Sequence, residues 1–88
     1  MSDANEVRRK RVLFRAHHTG MRENDLLIGA FADRHLAEID DAGVEWLEWL
    51  LMNHDDIDLY NWITGREPVP ERLQHPVMTA LTNFKFTV

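Results

Sequence analysis

The chain has 88 residues and no cysteine, so the packing of apolar side chains must supply most of what holds its fold together. A chain of this length buries roughly 60% of the surface that it exposes when unfolded, and it therefore needs nearly all its apolar residues in the core. The missing thiols also exclude a disulfide framework, a cysteine nucleophile, a zinc finger and an iron–sulfur site. We predict one domain over residues 1–88, with a flexible N-terminus over about residues 1–5.

Apolar residues recur at helical spacing in five segments, and most of the glycines and prolines lie between these segments or near their starts. The spacing predicts helices over residues 6–18, 22–37 and 42–53, a short helix over 57–63, and a last helical segment over 73–84. No run alternates between apolar and polar residues, and no Asn-Gly or Asp-Gly hairpin turn occurs. We therefore expect an all-α fold, a compact five-helix bundle.

Glycine and proline indicate where these helices end or begin. Gly20 is expected to end the first helix with a positive φ angle, and Gly65 to end the fourth. Pro76 either occupies the first position of the last helix or kinks it. Aspartates suited to N-cap positions precede the third and fourth helices, namely Asp40 or Asp41 and Asp55 or Asp56.

The apolar faces predict the core. The first helix is expected to bury a short stripe made of Val7, Leu13, Ala16 and either Val12 or Phe14. Core positions are also predicted for the three tryptophans, Trp46, Trp49 and Trp62. Trp46 and Trp49 lie three residues apart on one side of a helix, so if the core cannot hold both, one becomes an aromatic anchor for a partner.

The net charge of −5 is unevenly distributed. Residues 1–22 carry six basic and two acidic side chains, whereas residues 23–88 carry four basic and 13 acidic ones. The basic run Arg8-Arg9-Lys10-Arg11 is a solvated helix face, a docking face for an acidic protein, or a nucleic-acid contact. Nucleic acid is disfavoured because the rest of the chain is acidic and no aromatic residue interrupts the run.

No catalytic or metal-binding constellation is evident. Glu23 and Asp25 are two residues apart on a helix, so their carboxylates diverge and suit the first turn better than acid–base chemistry. The five histidines lack the i, i+4 spacing of a metal-binding helix, and we expect them at helix ends or on the surface. The chain has neither a nucleophile elbow nor a glycine-rich phosphate loop.

The turn Thr19-Gly20-Met21-Arg22-Glu23 joins the basic helix to the acidic remainder. It is either a simple helix–helix turn or a helix N-terminus whose free amides bind an acidic or carbonyl group of a partner. No apolar run approaches the ~18–20 residues that span a bilayer, and residues 1–11 do not form a secretory signal, so we expect a cytoplasmic protein without direct membrane insertion.

Several of these segments together resemble the succinate dehydrogenase flavinylation factors, called SdhE in bacteria and succinate dehydrogenase assembly factor 2 in mitochondria. The matching strings are RRKR at residues 8–11, LFRA at 13–16, GMRENDLL at 20–27 and DLYNWI at 58–63, followed by Gly65. The resemblance covers about residues 8–84 and implies a five-helix bundle.

The resemblance also implies a function without catalysis. Such factors bind the flavoprotein subunit of succinate dehydrogenase, and in some bacteria that of fumarate reductase, and promote covalent attachment of FAD to a histidine of that subunit. The FAD would belong to the client, so no stably bound cofactor is expected. The factor would act as a monomer, would bind no nucleic acid, and would hold the client in a conformation in which the client performs the attachment itself.

The family signature Arg-Gly-x-x-Glu identifies the expected site. Gly20 and Glu23 match it, but Thr19 stands where the family has arginine. Either Arg15 or His18 compensates, or this is a divergent member with weaker activity. The implied partner-binding residues are Arg15, Thr19, Gly20, Arg22, Glu23 and Asp25, with a basic docking face of Arg8, Arg9, Lys10 and Arg11.

A second functional hypothesis is a regulatory, antitoxin-like protein that neutralises a membrane-associated partner. Deletion of the gene separates the two hypotheses. Loss of covalent FAD from the dehydrogenase supports the assembly factor, whereas altered growth or cell shape with normal flavinylation supports the regulator.

Overall fold

The computed structural model describes residues 3–84, so Met1, Ser2 and residues 85–88 lie outside the description. Five helices follow one another: α1 (Ala4–His17), α2 (Arg22–His35), α3 (Asp41–Asn53), α4 (Asp56–Ile63) and α5 (Pro76–Asn83). Short 3₁₀ turns at Leu36–Glu38 and Glu71–Leu73 follow α2 and precede α5. No strand occurs within residues 3–84, and the predicted all-α five-helix fold is confirmed.

Helix α1 begins earlier than the sequence predicted. The Asp3 side chain accepts a hydrogen bond from the amide N–H of Asn5 (3.0 Å) and so caps the helix at Ala4. Ala4 and Asn5 are therefore helical, although they belong to the segment predicted to be flexible. Met1 and Ser2, the other part of that prediction, are outside the described residues.

The predicted helix ends are mostly confirmed. Asp40 caps α3 by accepting from the amide of Gly43 (2.8 Å), and Pro76 takes the first position of α5 rather than kinking it. Gly65 ends α4 with a φ of +78°. Two predictions differ from the structure. Asp55 takes the N-cap position of α4 but makes no side-chain hydrogen bond to the helix amides, and Gly20 lacks the predicted positive φ, since Gly65 is the one glycine with a positive φ between residues 3 and 84.

The core lies where the five helices meet, and α1 contributes less to it than predicted. Only Val12 and Ala16 of α1 are buried, whereas Val7, Leu13 and Phe14 are exposed. Trp62 is buried as predicted, while Trp49 is 43% exposed. The remaining core residues are Ile28, Phe31, Ala32, Leu36, Val44, Leu47, Leu50, Leu59, Ile63, Leu73, Val77, Met78 and Leu81.

Polar contacts show how α1 lies between its two neighbours. Arg9, in the N-terminal half of α1, donates to the carbonyl of Leu36 directly after α2 (2.7 Å), whereas His17 at the end of α1 lies against Gly29 in the middle of α2, so these two helices run antiparallel. Residue numbers increase in the same direction along α1 and α3, because Asn5 contacts Asp41 and Arg11 contacts Glu48. These two helices therefore run parallel. None of the helices described is both long and apolar enough for a membrane span.

Candidate functional site

The turn between α1 and α2 is held by one carboxylate. Asp25 Oδ1 accepts hydrogen bonds from the amide N–H of Thr19 (2.6 Å) and from the Thr19 hydroxyl (2.7 Å). The Thr19 hydroxyl oxygen also accepts from the amide of Met21 (3.2 Å). Asp25, predicted as a partner-binding residue, thus has a structural task in fixing the turn.

Gly20 brings this turn close to the start of α4. A Cβ atom added at Gly20 would lie 2.6 Å from Asp56 Oδ2, closer than real Cβ atoms approach a neighbour. Glycine leaves room here for the Asp56 carboxylate, which would have to move for a larger residue, and no left-handed backbone conformation is involved.

A cleft of about 390 Å³ lies between the turn and the α3–α4 connection. Three of the predicted partner-binding residues, Arg15, Thr19 and Gly20, lie on it. The complete lining consists of Arg15, His18, Thr19, Gly20, Leu51, His54, Asp55, Asp56 and Leu59. With one arginine, two aspartates and two imidazoles, the cleft offers hydrogen-bond donors and acceptors to polar groups of a polypeptide.

Asn24 supports the cleft from behind and was missed by the sequence analysis. Its side chain is fully buried, and its amide nitrogen donates to the backbone carbonyl of Asp56 (2.8 Å), which ties α2 to α4. Asn24 lies four residues before the buried Ile28 and so continues the apolar stripe of α2. A polar residue on the buried face of a helix was the signal that could have identified it.

Arg15 is held loosely on the cleft wall. Its Nε lies 3.8 Å from Glu48 Oε2 and has no hydrogen-bond partner among the described residues. His18, the other residue expected to replace the missing family arginine, is stacked on Phe14 with 4.0 Å between ring centroids. The His18 Nδ1 also contacts the Phe14 carbonyl oxygen (2.8 Å), so Arg15 is the freer of the two.

Arg22 and Glu23 lie on the exposed first turn of α2 and do not line the cleft. Met21 occupies the N-cap position without a side-chain hydrogen bond to the helix amides. Of the six predicted partner-binding residues, three therefore line the cleft and two lie outside it on the first turn of α2. The sixth, Asp25, fixes the turn from its position in α2.

In the predicted basic docking face, Arg8 to Arg11, three of the four side chains contact residues of other elements, and docking of a partner there stays a prediction. Arg9 donates to two backbone carbonyls of the α2–α3 connection (2.7 Å each) and to Asp41 (2.8 Å). Lys10 is 78% exposed and lies 3.8 Å from Glu6 on the same helix. The four basic side chains point in several directions, because successive residues of a helix diverge by about 100°.

Glu48 of α3 is the carboxylate around which the other arginines gather. Arg11 Nη2 donates to Glu48 Oε1 (2.9 Å), and a second bond from Arg11 Nε makes the pair bidentate. Arg8 Nε lies 3.6 Å from the same carboxylate and its Nη1 lies 3.7 Å from Glu45. The hydrogen bonds from Arg11 are the main cause that lowers the pKa of Glu48 from its ordinary value of 4.5.

The five histidines contact neighbouring residues of the fold. No group of three or more potential metal-ligating side chains occurs within residues 3–84. His18, His35 and His54 each contact a residue three or four positions away, His75 caps α5, and His17 bridges α1 to α2.

Comparison with known proteins identifies the family. A family model described as flavinator of succinate dehydrogenase matches residues 10–85. Succinate dehydrogenase assembly factor 2 of Danio rerio is 32% identical over 83 residues, which are 93% of this chain and 52% of that protein. The Mycosarcoma maydis protein of that name is 34% identical over 79 residues, 90% of this chain and 33% of that protein.

The Dictyostelium discoideum protein of that name is 34% identical over 73 residues, 83% of this chain and 51% of that protein. The chain thus spans between a third and about half of the length of these mitochondrial relatives. Since the family model covers almost the whole chain and the fold is the five-helix bundle expected for it, this protein belongs to the succinate dehydrogenase flavinator family.

Proposed function

We propose that this protein is an assembly factor that binds the flavoprotein subunit of succinate dehydrogenase and promotes covalent attachment of FAD to that subunit. Family membership over residues 10–85 is the observation that carries the proposal. The cleft beside Gly20 supports this proposal as a binding site for the client. It lies at the turn that carries the family signature, and polar side chains line it.

The factor acts by binding and not by bond formation. FAD and the histidine that receives it belong to the client, and the factor holds no cofactor of its own. A protein that binds the productive conformation of its client more tightly than other conformations raises the population of that conformation. The polar cleft and the rigid turn, held by Thr19 and Asp25, suit such a binding role.

Although Thr19 lacks the charge of the family arginine, one positively charged side chain remains in this region. Arg15, one helical turn before Thr19, lies on the same cleft. We propose that Arg15 takes over part of the role of the missing side chain. Thr19 retains the backbone bond to Asp25 that any residue at this position can make.

Deletion of the gene in its own organism tests the proposed function. We expect the dehydrogenase flavoprotein to lose its covalently bound flavin, measured as in-gel fluorescence after denaturation, and to regain it on expression of the wild-type chain. Co-purification of the tagged factor with the flavoprotein is the second expected result. Normal flavinylation together with altered growth or cell shape would contradict the proposal and support the regulatory hypothesis.

A further inference from the structure

The exposed side of the α1–α3 pair, next to the cleft, carries two apolar residues and a cation. We call Phe14, Arg15 and Met52 the α1/α3 face. We propose that the α1/α3 face binds an acidic segment of the flavoprotein client, with a carboxylate on Arg15 and an apolar side chain against Phe14 and Met52. This inference rests on the proposed function and adds the chemistry of the client segment.

The parallel register of α1 and α3 places these residues at one level. Arg8 meets Glu45, and one turn further along both helices Arg11 meets Glu48. Phe14 follows Arg11 by three residues and Met52 follows Glu48 by four, which is one further turn on each helix. The next level along is the cleft, to which α1 contributes His18 and α3 contributes Leu51.

Phe14 and Met52 are 64% and 58% exposed. A domain this small needs its large apolar residues in the core, so two of them exposed at the same level leave a surface that a partner can cover. Methionine adapts its shape to a partner, and a phenylalanine ring offers a large contact area, which suits both to binding.

The electrostatic pattern indicates an acidic partner. Arg8, Arg11 and Arg15 all approach Glu48 within 3.8 Å, but Arg11 takes both of its oxygens in hydrogen bonds. Of these three arginines Arg15 has the weakest contact, because the one carboxylate within 4 Å of it is Glu48 (3.8 Å), whereas Arg8 also reaches Glu45 (3.7 Å). A guanidinium that is 42% exposed and shares an occupied carboxylate gains most from a further carboxylate.

The position of the α1/α3 face favours the client over other partners. Arg15 belongs both to this face and to the cleft, so a segment bound here continues directly into the site of the proposed function. The chain as a whole has a net charge of −5, and an acidic client would be repelled by most of its surface. A local cationic spot therefore selects both the place and the orientation of binding.

Paired variants of the full chain test this inference against the purified flavoprotein subunit. Arg15→Gln removes the cation of the proposed contact, whereas Arg72→Gln removes an equal charge from an exposed position in the Glu71–Leu73 turn, which does not line the cleft. We expect Arg15→Gln to bind about tenfold more weakly, the value of one charge-assisted hydrogen bond, and Arg72→Gln to bind as the wild type does. Phe14→Ser should also weaken binding about tenfold, with helical content unchanged by circular dichroism.

Salt dependence provides a second measurement. Because the contact at Arg15 is electrostatic, wild-type affinity should fall more steeply between low and high salt than that of Arg15→Gln. Equal affinities of Arg15→Gln and Arg72→Gln for the client would overturn the inference while leaving the proposed function intact. Absence of any wild-type binding would overturn both. If the factor self-associates and either Phe14→Ser or Arg15→Gln abolishes this self-association, the α1/α3 face binds a second copy of the chain. That result would also overturn the inference.

Discussion

Replacement of Gly20 by alanine separates the binding role of the turn from its structural role. The added Cβ would lie 2.6 Å from Asp56 Oδ2, so the aspartate carboxylate must turn away from the cleft wall. No positive φ is involved at Gly20, so alanine introduces no backbone strain. Because the clash is with the end of one side chain and alanine lowers the entropy of the unfolded chain, the free energy of unfolding should change by less than about 1 kcal/mol.

Gly65→Ala is the matched control. Gly65 has a φ of +78°, a conformation that costs an alanine about 1–2 kcal/mol, and no atom lies within 4 Å of the added Cβ. Gly65 does not line the cleft. We therefore expect Gly65→Ala to lower the free energy of unfolding by about 1–2 kcal/mol and to leave binding of the flavoprotein unchanged.

Two assays measure the opposite effects of these alanines. Urea denaturation followed by far-ultraviolet circular dichroism gives the free energies of unfolding, and titration calorimetry with the flavoprotein subunit gives the affinities. Gly20→Ala should bind about tenfold more weakly, since a methyl group and a displaced carboxylate occupy the cleft. If Gly20→Ala binds as tightly as the wild type, or Gly65→Ala loses binding, the assignment of the cleft to the partner is wrong.

Three further predictions follow from individual side chains. Thr19→Arg should leave the fold intact and strengthen capture of the flavoprotein in a pull-down; equal or weaker capture would contradict this. Trp62→Ala should cost about 3–5 kcal/mol in urea denaturation and the half-exposed Trp49→Ala clearly less, whereas a cost below about 1 kcal/mol for Trp62→Ala would remove it from the core. Because the pKa of Glu48 is lowered on folding, its stabilising effect is complete above pH 4.5 and is lost as the pH falls further. Urea midpoints should therefore show Glu48→Gln less stable than the wild type at pH 7 and the difference shrinking below pH 4.5, whereas the exposed Glu45→Gln should show little difference at either pH.

The helices could be predicted from the sequence because their signals are local. Apolar spacing located all five, and Asp40, Gly65 and Pro76 marked ends that the structure confirms. The exceptions are also local in origin. Leu36–Glu38 forms a 3₁₀ turn where the sequence suggested that α2 continues. The last carbonyl groups of a helix readily accept hydrogen bonds from the amide three residues later instead of four.

The candidate site was only partly predictable because its contacts join residues far apart in the chain. The signature turn identified Gly20, but the sequence suggested a positive φ, whereas the structural reason is Asp56, 36 residues later. Likewise, a run of basic residues shows that charge is present but not which carboxylates it meets. Arg11 pairs with Glu48, 37 residues away, and no local pattern contains that information.

The same long-range pairing explains why Arg15 differs from the arginines before it. Arg8, Arg11 and Arg15 follow one another on the side of α1 that faces α3, but α3 provides carboxylates only as far as Glu48. Beyond that point α3 continues with apolar residues, of which Leu51 lines the cleft and Met52 is exposed. Arg15, the last arginine of the series, lies on the cleft, where Asp55 and Asp56 are among the other lining residues. Arg8 and Arg11 thus pair with carboxylates of α3 inside the fold, whereas Arg15, one turn before the position of the family's signature arginine, lies on the cleft that we propose for the partner.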